Sequence, residues 1–444
     1  MSQLEGRPSA DPAFLDPLLE LLRIPSVSTG DADPKPIREA AEWLRDYITA
    51  NGGKAEIEAT NGNPLVIGRF DANRPDAPNV LIYGHYDVQG AEPLSLWETP
   101  PFEPTIKDGR IYARGASDDK GNFWPLLYAA CEMHASGELP VNVRALVEGE
   151  EENGSVNVMT WLAADREPTD AAIVYDSGTI AGGPTITLGG RGVIGGYVRV
   201  RVADHDLHSG IHGGVALNAL HVLIRMFSEV LHGPDGLLRD ELRAGIDPIP
   251  DAERAMWPVL DDPNRPLTGV GARPIAPDSG ARYFEITGWE PSLEVDEIRA
   301  GDPRTVIPAQ ASAYMTIRLA PGQKWREIVD TTKRLMLAAA PEGAEVTFDI
   351  DHGVDAAGFD PESPVLRAGR RAFAKAFGEE PTLVRMGGTV PLLDTLAKRG
   401  IDTIFTGFAG ARDQIHAPNE SYAIKSLEMG RTAARALYEE LAAL

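Results

Sequence analysis

Three short, largely apolar runs, Val80 to Tyr83, Val141 to Val147 and Ala171 to Tyr175, pass directly into polar residues, and helix-period segments separate them. A strand that is apolar on both faces must be covered on both. Such runs therefore read as central, buried strands of a sheet with helices packed on either side. Ile37, Ala40, Ala41, Leu44, Tyr47 and Ile48 keep the spacing of an amphipathic helix, ended by Asn51-Gly52-Gly53. A fourth run, Thr403 to Thr406, is expected to join the same sheet. The fold class expected is α/β, with a mixed central sheet flanked by helices.

The texture changes at Gly189. An alternating strand over GGRGVIGGYVRVRVAD is followed by an apolar helix through Leu217, Leu220, Ile224 and Phe227. Further on, Ala313 to Leu319, a helix from Trp325 to Ala338 and Ala344 to Ile350 complete a small α+β set. Residues 187–354 are accordingly expected to form an inserted domain, and residues 1–186 with 355–444 a discontinuous catalytic domain.

The charge balance narrows the partners. With 42 Lys and Arg against 66 Asp and Glu, the chain carries a formal charge of −24. A chain this acidic repels phosphate backbones and anionic lipid, so nucleic acid and membrane surfaces are not expected as partners, and small molecules or peptides are. Cys131 is the single cysteine and excludes an intramolecular disulfide. The first eleven residues lack the basic start and apolar stretch of a secretory signal. The expected setting is cytoplasmic.

In an open α/β sheet, reactive groups gather beyond the carboxyl ends of the strands. Here those ends offer Gly84-His85-Tyr86-Asp87, Glu148-Gly149-Glu150-Glu151-Glu152 and Asp176, joined by the acidic loop Ser117-Asp118-Asp119 and, near the C-terminus, by His416. Each signal is weak alone. With 9 histidines and 66 acids, chance supplies about one His-x-acid triplet. Glu150 to Glu152 reads equally well as a solvated helix start, and Asp118-Asp119 as a capping pair. Converged on one rim, however, imidazoles and carboxylates make a ligand set for divalent cations. Five ligands, His85, Asp118, Glu152, Asp176 and His416, suit two ions bridged by one carboxylate. Asp87 is then placed to orient His85, and Glu151 to carry a proton.

Four segments, Tyr83-Gly84-His85-Tyr86-Asp87-Val88-Gln89, Arg114-Gly115 through Gly121, Glu148-Gly149 through Ser155, and Asp206-Leu207-His208-Ser209-Gly210, resemble in order those of the dinuclear zinc metallopeptidases. That family includes cytosolic non-specific dipeptidase, carnosinase, aminoacylase and glutamate carboxypeptidase, and the dipeptidase branch is the most similar. The resemblance implies a catalytic domain with an inserted ferredoxin-like lid that dimerises. It makes Asp118 the bridging ligand, assigns His85 and Asp176 to one zinc and Glu152 and His416 to the other, and makes Glu151 the general base, with Asp87 supporting His85. His208 resembles a lid histidine that stabilises the oxyanion in a partner subunit. Arg318 would grip a substrate carboxylate, and Thr305, His352 and Thr389 would bind substrate. Two positions depart from the pattern: Thr389 stands where a serine is usual, and Glu150 where an apolar residue is.

The function expected is hydrolysis of a dipeptide or similar small amide by metal-bound hydroxide, with two divalent ions, zinc ahead of manganese or cobalt, and a homodimer formed through the lid. Two alternatives remain open: an N-acyl-amino-acid amidohydrolase sharing every metal residue, and a non-catalytic scaffold.

Overall fold

A computed structural model describes residues 11–180, 182–257, 262–268, 271–388 and 391–444. The chain divides into two compact units. One comprises the described residues up to Leu188 with Phe359–Leu383 and Pro391–Leu444; the other runs over Gly189–Gly358 and continues from Val384.

The first unit is built on a mixed sheet whose strands lie in the order Lys54–Glu58, Leu65–Phe70, Asn142–Glu148, Asn79–His85, Ala171–Tyr175, Thr403–Thr406 and Thr185–Gly190. Its three central pairings are parallel: Asn79–His85 with Asn142–Glu148, Asn79–His85 with Ala171–Tyr175, and Ala171–Tyr175 with Thr403–Thr406. Four strands therefore end on one rim, with His85 opposite Glu148 and Thr406 opposite Tyr175. That rim receives the chemistry.

The central strands are apolar on both faces because helices cover them. Lys120–Ala135 is buried along almost its whole length, and Gly84 lets it approach. A Cβ at Gly84 would lie 2.4 Å from Phe123 Cβ, closer than packed side chains allow. Pro34–Ala50 starts on Asp33, whose carboxylate accepts from the Lys35 amide at 3.0 Å, and buries Ile37, Ala40, Ala41, Leu44 and Ile48. Tyr47 is only half-buried, stacked on Trp43 at a centroid distance of 5.2 Å.

The second unit is a four-stranded antiparallel sheet in the order Ser292–Ala300, Gln310–Leu319, Gly192–Arg201, Glu345–Val354. Residues alternate strictly along Gln310–Leu319: Ala311, Ala313, Met315, Ile317 and Leu319 pack into the core, and the intervening side chains stand on the open face. Helices Ala219–Phe227 and Trp325–Ala339 supply Leu223, Met226, Ile328 and Met336 to that core. The apolar face of Ala219–Phe227 differs from the expected one, since Ile224 is exposed and Val222, Leu223 and Met226 are buried. His221, Arg225 and Ser228 mark the exposed face, and Ile224 lies on it between them, whereas Val222, Leu223, Met226 and Phe227 share the opposite face. Among the described residues no helix is long and apolar enough to cross a membrane.

Candidate metal centre

His85 closes the strand Asn79–His85 and is fully buried. Its Nε2 lies 3.0 Å from Asp118 Oδ1, and its Nδ1 faces the Asp87 carbonyl at 3.1 Å and Asp87 Oδ1 at 3.3 Å. Asp87 is itself anchored, accepting from Ser28 Oγ at 2.6 Å and from the amides of Glu151 and Glu152, each at 3.2 Å. One buried carboxylate thus ties the histidine ring to the turn that carries the two glutamates.

The other oxygen of Asp118, Oδ2, lies 3.0 Å from His416 Nε2, and that nitrogen lies 3.2 Å from Glu152 Oε2. Glu152 Oε2 also accepts from Gln89 Nε2 at 2.8 Å, whereas its Oε1 is buried without a protein partner. Asp176 follows the strand Ala171–Tyr175 and donates its amide to Thr406 O at 3.1 Å. Ligand atoms of His85, Asp118 and Asp176 lie within 4.8 Å of one another, as do those of Asp118, Glu152 and His416. Asp118 belongs to both groups.

The neighbouring acids do different work. Asp119 occupies the capping position of Lys120–Ala135 without capping it, and its Oδ2 accepts from the His85 amide at 3.2 Å. Glu150 is buried and holds the Asn63 and Asn157 amides at 3.1 and 2.8 Å. The solvated helix start does not form there; Glu151–Asn153 is a short 3-10 turn.

Charge is crowded in this site. Burial raises the Asp118 carboxyl, but hydrogen bonds from His416 and His85 outweigh it and hold the group low. Hydrogen bonds to Asp118 and then Glu152 push His416 up to about 10. Burial, reinforced by the Asp118 charge, drives Asp176 well above the carboxylate range. Glu151 is also raised, by burial first; the His85 charge opposes the rise and Asp118 adds to it. Divalent cations compete for positions that protons otherwise neutralise. A mixed nitrogen and oxygen donor set, a carboxylate shared by two groups and an unpartnered Glu152 oxygen fit such ions.

Residues 81–440 match the peptidase family M20/M25/M40. The chain belongs to that family. It is a metallopeptidase, and the family's proteins bind divalent metals. It is 27% identical to the Cys-Gly metallodipeptidase DUG1 of Candida albicans, over 92% of this chain and 90% of that one. It is 29% identical to the cysteinylglycine-S-conjugate dipeptidase of Corynebacterium striatum, covering 86% and 85%. Among solved structures, the M20 family metallo-carboxypeptidase of Sulfolobus solfataricus superposes with a TM-score of 0.84 at 28% identity, covering 97% of this chain and 99% of that one. The α/β fold with an additional α+β unit agrees with this membership.

The remaining site candidates among the described residues belong to the second unit. His208 precedes the turn Ser209–His212, where its Nδ1 accepts from the Gly210 amide at 2.9 Å. Thr305 has a left-handed backbone, and its carbonyl accepts from the Ser209 amide and hydroxyl at 2.9 and 2.7 Å. Arg318 is half-buried on the open sheet face, its pKa lowered by burial against the opposing pull of Asp296. His352 lies over Gly195, where a Cβ would come within 2.2 Å of the ring. Thr389 lies outside the described residues. Sequence reasoning assigned no role to Gln89, which steadies Glu152, or to Ser28, which steadies Asp87. A glutamine or serine carries no signal until a partner is beside it.

Proposed function

We propose that this chain is a dinuclear zinc dipeptidase, with Asp118 bridging two ions, His85 and Asp176 completing one site, and Glu152 and His416 the other. The observation that carries the reading is that Asp118 offers one oxygen to each histidine at 3.0 Å, in a chain of this peptidase family. When bound, the ions supply Lewis-acid activation of water and of the scissile carbonyl at neutral pH.

The protein's own groups do the rest. Asp87 holds His85 in one ring orientation. Glu151, next in sequence to a ligand and its carboxyl raised by burial, takes a proton from water and returns it to the leaving amine. We assign Arg318 to the free carboxylate of the dipeptide, because a guanidinium fork matches two carboxylate oxygens. His208 stabilises the oxyanion, and Thr305, His352 and Thr389 contact the substrate. Residues 1–186 with 355–444 act as the catalytic domain and 187–354 as a lid. Exposed Ile211, Val215 and Ile224 support a homodimer through that lid, and the single, buried Cys131 accords with a cytoplasmic setting.

The test is to assay metal-loaded protein against unblocked dipeptides and N-acyl amino acids. Turnover of dipeptides is expected. Activity confined to the acylated set would reject the assignment.

A further inference from the structure

His416 is the ligand with the weakest framework of its own. Its ring is half exposed, and the backbone is left-handed at Gln414, His416 and Asn419, with φ of 53°, 60° and 65°, a region that residues with a Cβ seldom adopt. Yet its Nε2 stands 3.0 Å from Asp118. Something outside the turn must hold it there.

Two buried carboxylates flank the turn, and both grip the loop that carries Asp118. Glu420 Oε1 accepts from the amides of Ser117 and Asp118 at 2.8 and 3.0 Å, and its Oε2 from the Gly115 amide at 3.0 Å and Arg114 Nη1 at 2.7 Å. Asp413 Oδ2 accepts from Ser117 Oγ at 2.9 Å and from the Gly410 amide at 2.8 Å, and Arg110 pairs with Oδ1. Glu420, Ser117, Asp413 and Arg114 are each at most 2% exposed. Carboxylates accepting several amide and guanidinium donors in a dry setting are stiff anchors.

We infer that Glu420 and Asp413 are positioning residues for the metal centre, together setting the separation of His416 from Asp118 and so the affinity of the Glu152–His416 site. His85 and Asp176 sit at strand ends and do not depend on this tie. The effect is therefore larger for the Glu152–His416 ion, whose histidine and bridging carboxylate stand at the two ends of the tie, than for the other ion, which shares only Asp118 with it. The inference rests on the dinuclear reading above.

The experiment titrates metal-free full-length protein with Co2+, following the visible absorption of the bound ion, with far-UV circular dichroism and thermal melting as a check of folding. The unaltered chain is expected to take two equivalents. In E420Q the second equivalent is weakened about 10- to 100-fold, the usual effect of removing a group that orients a ligand, and the first is weakened less. E420D, which restores the charge, recovers part of that loss. S117A removes only the hydroxyl that Asp413 accepts and weakens the same equivalent to a smaller degree; should E420Q not fold, this variant decides the matter. Unchanged affinity for both equivalents overturns the inference, as does equal weakening of both. If the unaltered chain takes no ion, the dinuclear reading fails as well; if it takes two and the variants match it, only the present inference fails.

Discussion

His416 Nε2 lies 3.0 Å from Asp118 Oδ2, although one residue belongs to a C-terminal turn and the other to the loop opening a helix of the N-terminal half. The contact unites two groups of ligand atoms that share Asp118.

Asp118→Asn should remove both ions together. The amide keeps the volume and loses the charge that both groups share, so affinity for each equivalent should fall more than about 100-fold, beyond the usual loss for an orienting group. Metal content by mass spectrometry after dialysis is the measurement; retention of one tight equivalent would show that Asp118 does not bridge.

Glu151→Gln should separate binding from turnover. Metal content should stay at the level of the unaltered protein while kcat falls by about 10²- to 10⁴-fold, the range of a general acid-base contribution. Near-normal turnover would assign the proton transfer elsewhere.

For Arg318→Ala, KM for unblocked dipeptides should rise about 10- to 100-fold, the loss of a charge-assisted hydrogen bond. C-terminally amidated dipeptides should change little. An equal rise for both substrates would argue against a contact with the carboxylate.

Cys131 should be inert in the native state. Burial pushes its thiol up to about 12, and a thiol whose pKa is raised stays protonated as pH climbs past the value of the unfolded chain, so the reactive thiolate is missing at pH 8. Alkylation followed by mass spectrometry should show modification only after denaturant is added; rapid labelling of the native protein would contradict the burial.

Much of the fold is legible in the chain because the central strands are apolar on both faces, a pattern that fits the covered, parallel centre of this mixed sheet. The runs ending at Tyr83, Val147 and Tyr175 therefore put His85, Glu148 and Asp176 on one rim from sequence reasoning alone. On the helix Ala219–Phe227 the polar spacing of His221, Arg225 and Ser228 marks the exposed face, and Ile224, read as core from its apolar side chain, falls on that face. The site divides in the same way. Asp118 and Asp119 are chemically equal in sequence, as are Glu150 and Glu152, and burial and direction tell them apart: Asp119 turns to a backbone amide and Glu150 to two asparagines, while Asp118 and Glu152 face the imidazoles.

By itself, then, the sequence determined which strands are covered, which polar residues follow them and the family to which the chain belongs, since local periodicity and motif order are properties of the chain. Only the tertiary structure gave the distances at which Asp118 meets His85 and His416 and Glu152 meets His416, and the tie that Glu420 and Asp413 make to the Asp118 loop. Those contacts join residues far apart in the chain, and their strength comes from exclusion of water, which no local pattern encodes.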